Sequence, residues 1–367
     1  MLTRDSSSAT WETAMFEKRS ASAPTPASLG YHMPAEWEPH AATWLSWPRP
    51  DGISFPEAYD KVMPAFAKMV DALADSEPVC INVWDAAHEA DVRRQLNRHG
   101  ARDSHVRFYR HPSYEPWCRD HGPIFLKRSG TPEPVVVDWD YNAWGGKYPP
   151  HDLDDAVPTQ IAELLGVPVY APGMILEGGS IEVNGAGTLL TTRNCLLNPN
   201  RNPHLNQAEI ERKMRDYLGV SHFLWLGDGI EGDDTDGHID DLTRFVSRTA
   251  VVTVVEPNLE DPNHLPLSEN LHALSGMRVE DGSRLEVLHL PMPARIDREG
   301  LRLPASYANF YIANTAVLLP VFNDLMDAKA VAVLEPLFPG RKIVPIDCTE
   351  LIWGLGAFHC LTQQQPA

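Results

Sequence analysis

The chain has 367 residues, of which 43% are hydrophobic, and carries a formal net charge of −19. That apolar content suffices for a buried core, while the acidic balance disfavours nucleic acid and anionic lipid as partners and favours small cations. No stretch approaches the ~18 apolar residues of a membrane-spanning helix, so no membrane span is expected.

Residues 1–30 are rich in Ser, Ala, Thr and Pro and lack an apolar signal-peptide core, so they are read as a flexible N-terminal tail. No long linker divides residues 31–367, which are read as one domain. Apolar Val62, Phe66, Met69, Val70 and Leu73 recur at helical spacing and predict a helix over 56–75. A strand over 79–83, a helix over 86–99 and a strand over 106–109 follow. Two apolar runs, 124–126 and 135–137, flank a Gly-Thr-Pro turn and predict a hairpin. A second hairpin, 180–183 with 188–191, is signalled by the Asn184-Gly185 turn. A helix over 205–217 and a strand over 223–226 complete that unit. Strands are expected at 245–246, 251–255, 309–312 and 317–321, then a helix near 324–338 and a strand over 343–346.

One polar residue stands at the mouth of each successive strand pair: Asp120, Glu177, His238, Asn309 and Cys360. Their quasi-regular spacing suggests an internal repeat of five units, each of strands plus one helix. Five such units around an axis would bring the five polar side chains together.

The cysteines, Cys80, Cys118, Cys195, Cys348 and Cys360, are odd in number, scattered, and contain no CxxC pair. A disulfide framework or zinc site is therefore not expected, and reduced thiols in a cytoplasm fit. Cys360 is a candidate nucleophile, although a free cysteine is more often a small buried apolar residue. Its neighbour His359 would point to the opposite strand face, so the base must come from elsewhere. His238 is the better base, with strand periodicity placing Asp236, His238 and Asp240 on one face. The rivals for this segment, where Asp233, Asp234, Asp236, Asp240 and Asp241 crowd together, are a solvated acidic loop and a metal site. An EF-hand loop with Gly237 at its sixth position would need acidic residues where Gly232 and Thr243 stand. No metal is expected there.

Trp117 beside Asp120 suits a flat cation, the ring covering its face and the carboxylate taking its edge. Cys118 would share a strand face with Asp120 and put a second thiol at the site. One thiol, one imidazole and the carboxylates Asp120, Glu177 and Asp240 would repel an anion and accept a guanidinium, which is planar and permanently charged.

At these residues the chain resembles the agmatine deiminases, kin of the bacterial peptidyl-arginine deiminases in the guanidine-modifying superfamily. The matching segments are Met33–His40 with Trp44 and Trp47-Pro48, Trp117–Pro123, Leu176–Ser180, Asn198–Pro203, Thr235–Asp240, Asn309–Asn314 and His359–Pro366. The resemblance implies an α/β fold, a five-bladed α/β propeller with pseudo-fivefold symmetry and a central site. It places the nucleophile on Cys360, the general acid/base on His238, and the guanidinium-binding carboxylates on Asp120 and Asp240. Trp117, Glu177, Asn309 and Gly356 match pocket positions, and the resemblance implies no metal or organic cofactor. The chain departs from the family's three consecutive glycines at Gly354-Leu355-Gly356, followed by Ala357, so Leu355 and Ala357 are expected to reshape the pocket.

The function implied is hydrolysis of agmatine to N-carbamoylputrescine and ammonia through a cysteine thiouronium intermediate. Three alternatives stand beside it: deimination of another guanidine (arginine, peptidyl-arginine or a specialised metabolite), amidino transfer, and non-catalytic binding on the same fold. Oligomeric state is open, a homodimer included.

Overall fold

A computed structural model describes residues 24–102 and 104–367. It resolves the predicted repeats into a recurring arrangement: an antiparallel strand pair, a crossover helix, and a third strand parallel to the second. Strands 124–128 and 131–137 pair antiparallel, and helix Asp152–Leu165 returns the chain to strand 169–170. The same order holds for 181–183 and 188–192 with helix Gln207–Leu218 and strand 222–226. It recurs in 243–247 and 250–255 with helix His264–Ser275 and strand 286–291. A further copy joins 311–312 and 316–321 to 342–347 through helix Asp327–Leu334.

The remaining sheet is assembled from both ends of the chain. Strand Thr362–Pro366 pairs antiparallel with His40–Ser46, which in turn lies parallel to 79–82 and then 106–109. Trp44 Nε1 donates to Gln365 Oε1 across this seam at 2.9 Å.

Local chemistry explains the elements. Asn206 caps its helix by accepting from Glu209 N at 3.1 Å, while Glu209 accepts from Asn206 N at 2.9 Å, satisfying two helix-end donors reciprocally. Gly219 ends the same helix at φ 69°, a conformation that costs glycine nothing. The helix over 152–165 carries Asp152, Asp154 and Asp155 in its first turn, where carboxylates complement the helix dipole. Sequence periodicity missed this helix and the one over 264–275. Each contains a proline, Pro158 and Pro266, and the second has only a weak apolar stripe.

Of the tail expected over 1–30, residues 1–23 lie outside the described region. Ala27–Leu29 form a single 3₁₀ turn, with Leu29 O accepting from Arg128 Nη1 at 3.2 Å. No helix among the described residues is long and apolar enough to cross a membrane.

Candidate active site

Each polar residue singled out by the repeat lies just before, or within, a short turn that leads into the first strand of a pair. Asp120 lies on the turn Cys118–His121, Glu177 precedes Gly178–Ser180, His238 precedes Ile239–Asp241, and Cys360 lies on Phe358–Leu361. Asn309 precedes the strand at Tyr311. The side chains therefore follow turn geometry rather than the strand alternation expected for them.

Gly179 shows how closely the turns converge. A methyl group added there would lie 2.6 Å from His238 Nδ1, 2.7 Å from Asp120 Oδ1 and 3.1 Å from Asp240 Oδ2. Only a residue without a side chain permits this approach. Gly179 N donates to Asp120 Oδ1 at 2.9 Å, and Trp144 Nε1 donates to Asp120 Oδ2 at 2.9 Å. Both carboxylate oxygens are thereby fixed.

Cys360 completes the cluster. Its sulfur lies 3.5 Å from Asp240 Oδ2 and accepts from Asn309 Nδ2 at 3.0 Å. Asn309 Oδ1 accepts from the backbone N–H groups of Ala357, His359 and Cys360 at 3.1–3.3 Å. Its Nδ2 also donates to Asp241 Oδ1 at 3.0 Å. An amide has two donor hydrogens, so Asn309 has none spare. Expected in the pocket, it instead clamps the turn that carries the thiol.

Glu177 is likewise displaced from its expected place. It is fully buried behind His238 and accepts from Arg201 Nε at 2.8 Å. Asp236 does not flank the imidazole: it turns away at φ 69° to meet Arg201, Lys147 and Asn200. Cys118 packs into the core with Trp44, Cys80 and Phe125, away from the cavity.

Two residues outside the expected set organise the cluster. His359 Nδ1 lies 2.7 Å from Asp240 Oδ2 and its Nε2 lies 2.8 Å from Glu36 Oε2. Glu36 is also reached by Arg119 Nη2 at 3.2 Å, Arg244 Nη2 at 3.0 Å and the Ile312 N–H at 2.8 Å. One buried carboxylate thus ties together residues from several units. Burial opposes its charge, but Arg244, His359 and Arg119 outweigh that and hold it far below the usual carboxylate range.

The electrostatics follow from burial. Desolvation raises the Asp120 carboxyl to about 6, with Asp240 and Glu177 adding to the rise and His238 opposing it. Asp240 remains below its ordinary value because His359 outweighs its desolvation. Burial pushes the Cys360 thiol well up, and Asp240, Asp241 and Asp120 push it further. Burial alone would lower His238, yet Asp120, Cys195 and Asp240 together hold it well above its ordinary value. Both His238 ring nitrogens and Asp240 Oδ1 are buried without hydrogen-bond partners. Glu177, Cys195 and His238 have ligand atoms within 4.8 Å of one another, the group among the described residues that could hold a metal ion. Arg201 already answers the Glu177 charge there, which opposes a second cation.

A cavity of about 600 Å³ opens onto Cys360 and Asp120 and is walled by Trp117, Trp144, Gly356 and Leu355, among others. Trp117 lies against the glycines: a methyl at Gly356 would be 2.7 Å from its Cζ3 and 3.2 Å from the Cys360 sulfur. Leu355 lines the cavity in the left-handed conformation, at φ 70°. Ala357 does not line it.

Repeated αβ units with a thiol, an imidazole and carboxylates converging at their turns define an α/β protein with one shared polar centre. The chain belongs to the Porphyromonas-type peptidyl-arginine deiminase family, whose model matches residues 32–366. It is 38% identical to an agmatine deiminase of Ectopseudomonas mendocina over 94% of this chain and 97% of that one. An agmatine deiminase of Pseudomonas aeruginosa is 39% identical with the same coverage. Among solved structures, the agmatine deiminase of Enterococcus faecalis superposes with a TM-score of 0.87 at 34% identity, covering 95% of this chain and 99% of that one. The α/β fold is therefore shared with these proteins.

Proposed function

We propose that the protein is a guanidine deiminase, a hydrolase of amidine C–N bonds, and that agmatine is its substrate. The observation that carries this reading is the buried meeting of Cys360, Asp240, Asp120 and His238 beneath an aromatic-walled cavity. Family membership and the names of the agmatine deiminases it resembles support the same reading.

Asp120 and Asp240 would grip the guanidinium edges, with Trp117 against its face. Bringing a cation beside Cys360 offsets the acids that hold its thiol protonated, so substrate favours the thiolate that attacks it. Sulfur bonds to the central carbon to give a tetrahedral intermediate. His238 donates a proton to one nitrogen, the C–N bond breaks, and ammonia leaves. His238 then takes a proton from water, which attacks the thiouronium carbon. Collapse releases the ureido product and regenerates the thiol. His238 stands 3.7 Å from Asp120 and is raised by it and by Asp240, so a guanidinium competing for those carboxylates would lower it towards neutrality, where it can act both as acid and as base.

The architecture proposed is a five-bladed propeller, supported by one sheet per unit and by the pairing of strand 362–366 with 40–46. A cytoplasmic setting is consistent with five free cysteines. A second reading, deimination of another guanidine, is favoured by one observation: Leu355 projects into the cavity wall where the resemblance leads one to expect glycine. A panel of guanidines assayed for ammonia and ureido product tests the proposal. Agmatine is expected to be turned over, and Cys360→Ala to abolish turnover while retaining ligand. Absence of product from every guanidine defeats it.

A further inference from the structure

Deimination explains the floor of the cavity but not its upper wall. Glu115 lines that wall, is 4% exposed, and accepts from Ser54 Oγ. Ser54 Oγ also accepts from Trp117 Nε1 at 3.0 Å. A continuous wall thus runs from Cys360 past Gly356, along the Trp117 indole, through Ser54 to Glu115. No cation among the described residues pairs with Glu115. Arg49 acts on it from a distance, being paired with Asp51 at 2.5 Å.

The other acids on this wall are already answered. Glu231 takes Arg302 at 3.0 Å and Arg295 at 3.2 Å. Asp234 accepts from the Tyr148 hydroxyl, and Lys147, which bonds its backbone carbonyl, offsets its charge. A buried carboxylate facing a cavity without a counter-ion is costly to ionise, and its Ser54 bond holds the side chain in place for a cation to arrive.

We propose that Glu115 receives the free ammonium at the far end of the substrate and so selects an ω-guanidino alkylamine over guanidines with a neutral or carboxylate-bearing tail. This deepens the deiminase reading and rests on it. The fit is one of chemistry and sequence along the wall: a guanidinium between acids at the base, an alkyl chain along the indole, and an ammonium at the carboxylate. An α-carboxylate at that end, as in arginine, would meet the unpaired Glu115 and be repelled.

The test compares agmatine with n-butylguanidine, which matches it except for the ammonium. Binding of both to a Cys360→Ala background is measured by calorimetry, with and without Glu115→Gln. The preference for agmatine is expected to fall about tenfold or more, the worth of one charge-assisted contact. An unchanged preference in a folded Glu115→Gln variant overturns the assignment. If that variant fails to fold, Ser54→Ala, which releases the carboxylate, is read in the same way. Wild-type protein that releases no ammonia from any guanidine would sink the deiminase reading alone, because the binding preference remains measurable without turnover.

Discussion

Asp240 and Cys360 are in contact, with Oδ2 of the carboxylate 3.5 Å from the sulfur. This proximity sets two demands against each other. The carboxylate proposed to grip a cationic substrate also raises the resting thiol, which burial has already pushed up.

Replacing Asp240 by Asn separates the two. The negative charge beside the sulfur is lost, so the Cys360 thiol ionises more readily and is alkylated faster by iodoacetamide near pH 8. Agmatine turnover is expected to fall at least about tenfold, because a charge-assisted contact to the guanidinium is gone. Parallel alkylation and ammonia assays check it. Slower alkylation together with lost turnover would contradict the electrostatic account.

Gly179→Ala is expected to inactivate with only modest unfolding. The new methyl meets His238 Nδ1 at 2.6 Å and Asp120 Oδ1 at 2.7 Å, so both groups must shift. Overpacking of this kind costs about 1–3 kcal/mol. Calorimetry and steady-state kinetics should therefore show a folded protein with little activity. Wild-type rates would mean that the two side chains need not sit where they do.

Arg201→Met leaves Glu177 buried with no guanidinium beside it. Removing one partner of a buried pair costs about 3–5 kcal/mol. Urea unfolding monitored by tryptophan fluorescence measures the loss. A change below about 1 kcal/mol would show that the pair is solvated or readily replaced.

Glu115 makes substrate affinity depend on pH. Burial raises its carboxyl to about 7, against the Ser54 hydrogen bond and Arg49, which lower it. Asp154, whose Oδ1 accepts from Glu115 N at 3.2 Å, is itself raised to about 8 by burial. His121 contacts the Glu115 carbonyl and is held down to about 4 by burial, so it stays neutral. Glu115 gains its charge as pH rises through about 7, so KM for agmatine is expected to fall over that range. Glu115→Gln should flatten this limb of the profile, whereas a limb that persists in the variant belongs to another group.

Much of this arrangement was legible in the residues. Apolar runs punctuated by Asn184-Gly185 and by the turn before Val135 marked the strand pairs, and the resemblance named Cys360, His238, Asp120 and Asp240. The positions that misled share a cause. Asp236, His238 and Asp240 alternate along the chain as strand residues would, but the segment bends at Asp236 and Gly237, both at positive φ, and alternation no longer assigns faces. Asn309 and Glu177 were recognisable as polar residues near the site, yet only three dimensions show that Asn309 is held by Cys360 and Asp241 and that Glu177 faces Arg201. Glu36 and His359 gave no periodic signal, because their partners lie 83 to 323 positions away.

Trp44 and Gln365, bonded across the seam of the first sheet, stand 321 positions apart. Joining such distant segments is slow and comes late in folding. The Cys360 sulfur lies just before that closing strand, so on a ribosome it emerges together with the last piece the first sheet needs. An incomplete nascent chain therefore holds the acids of Asp120 and Asp240 without the sulfur they are to meet.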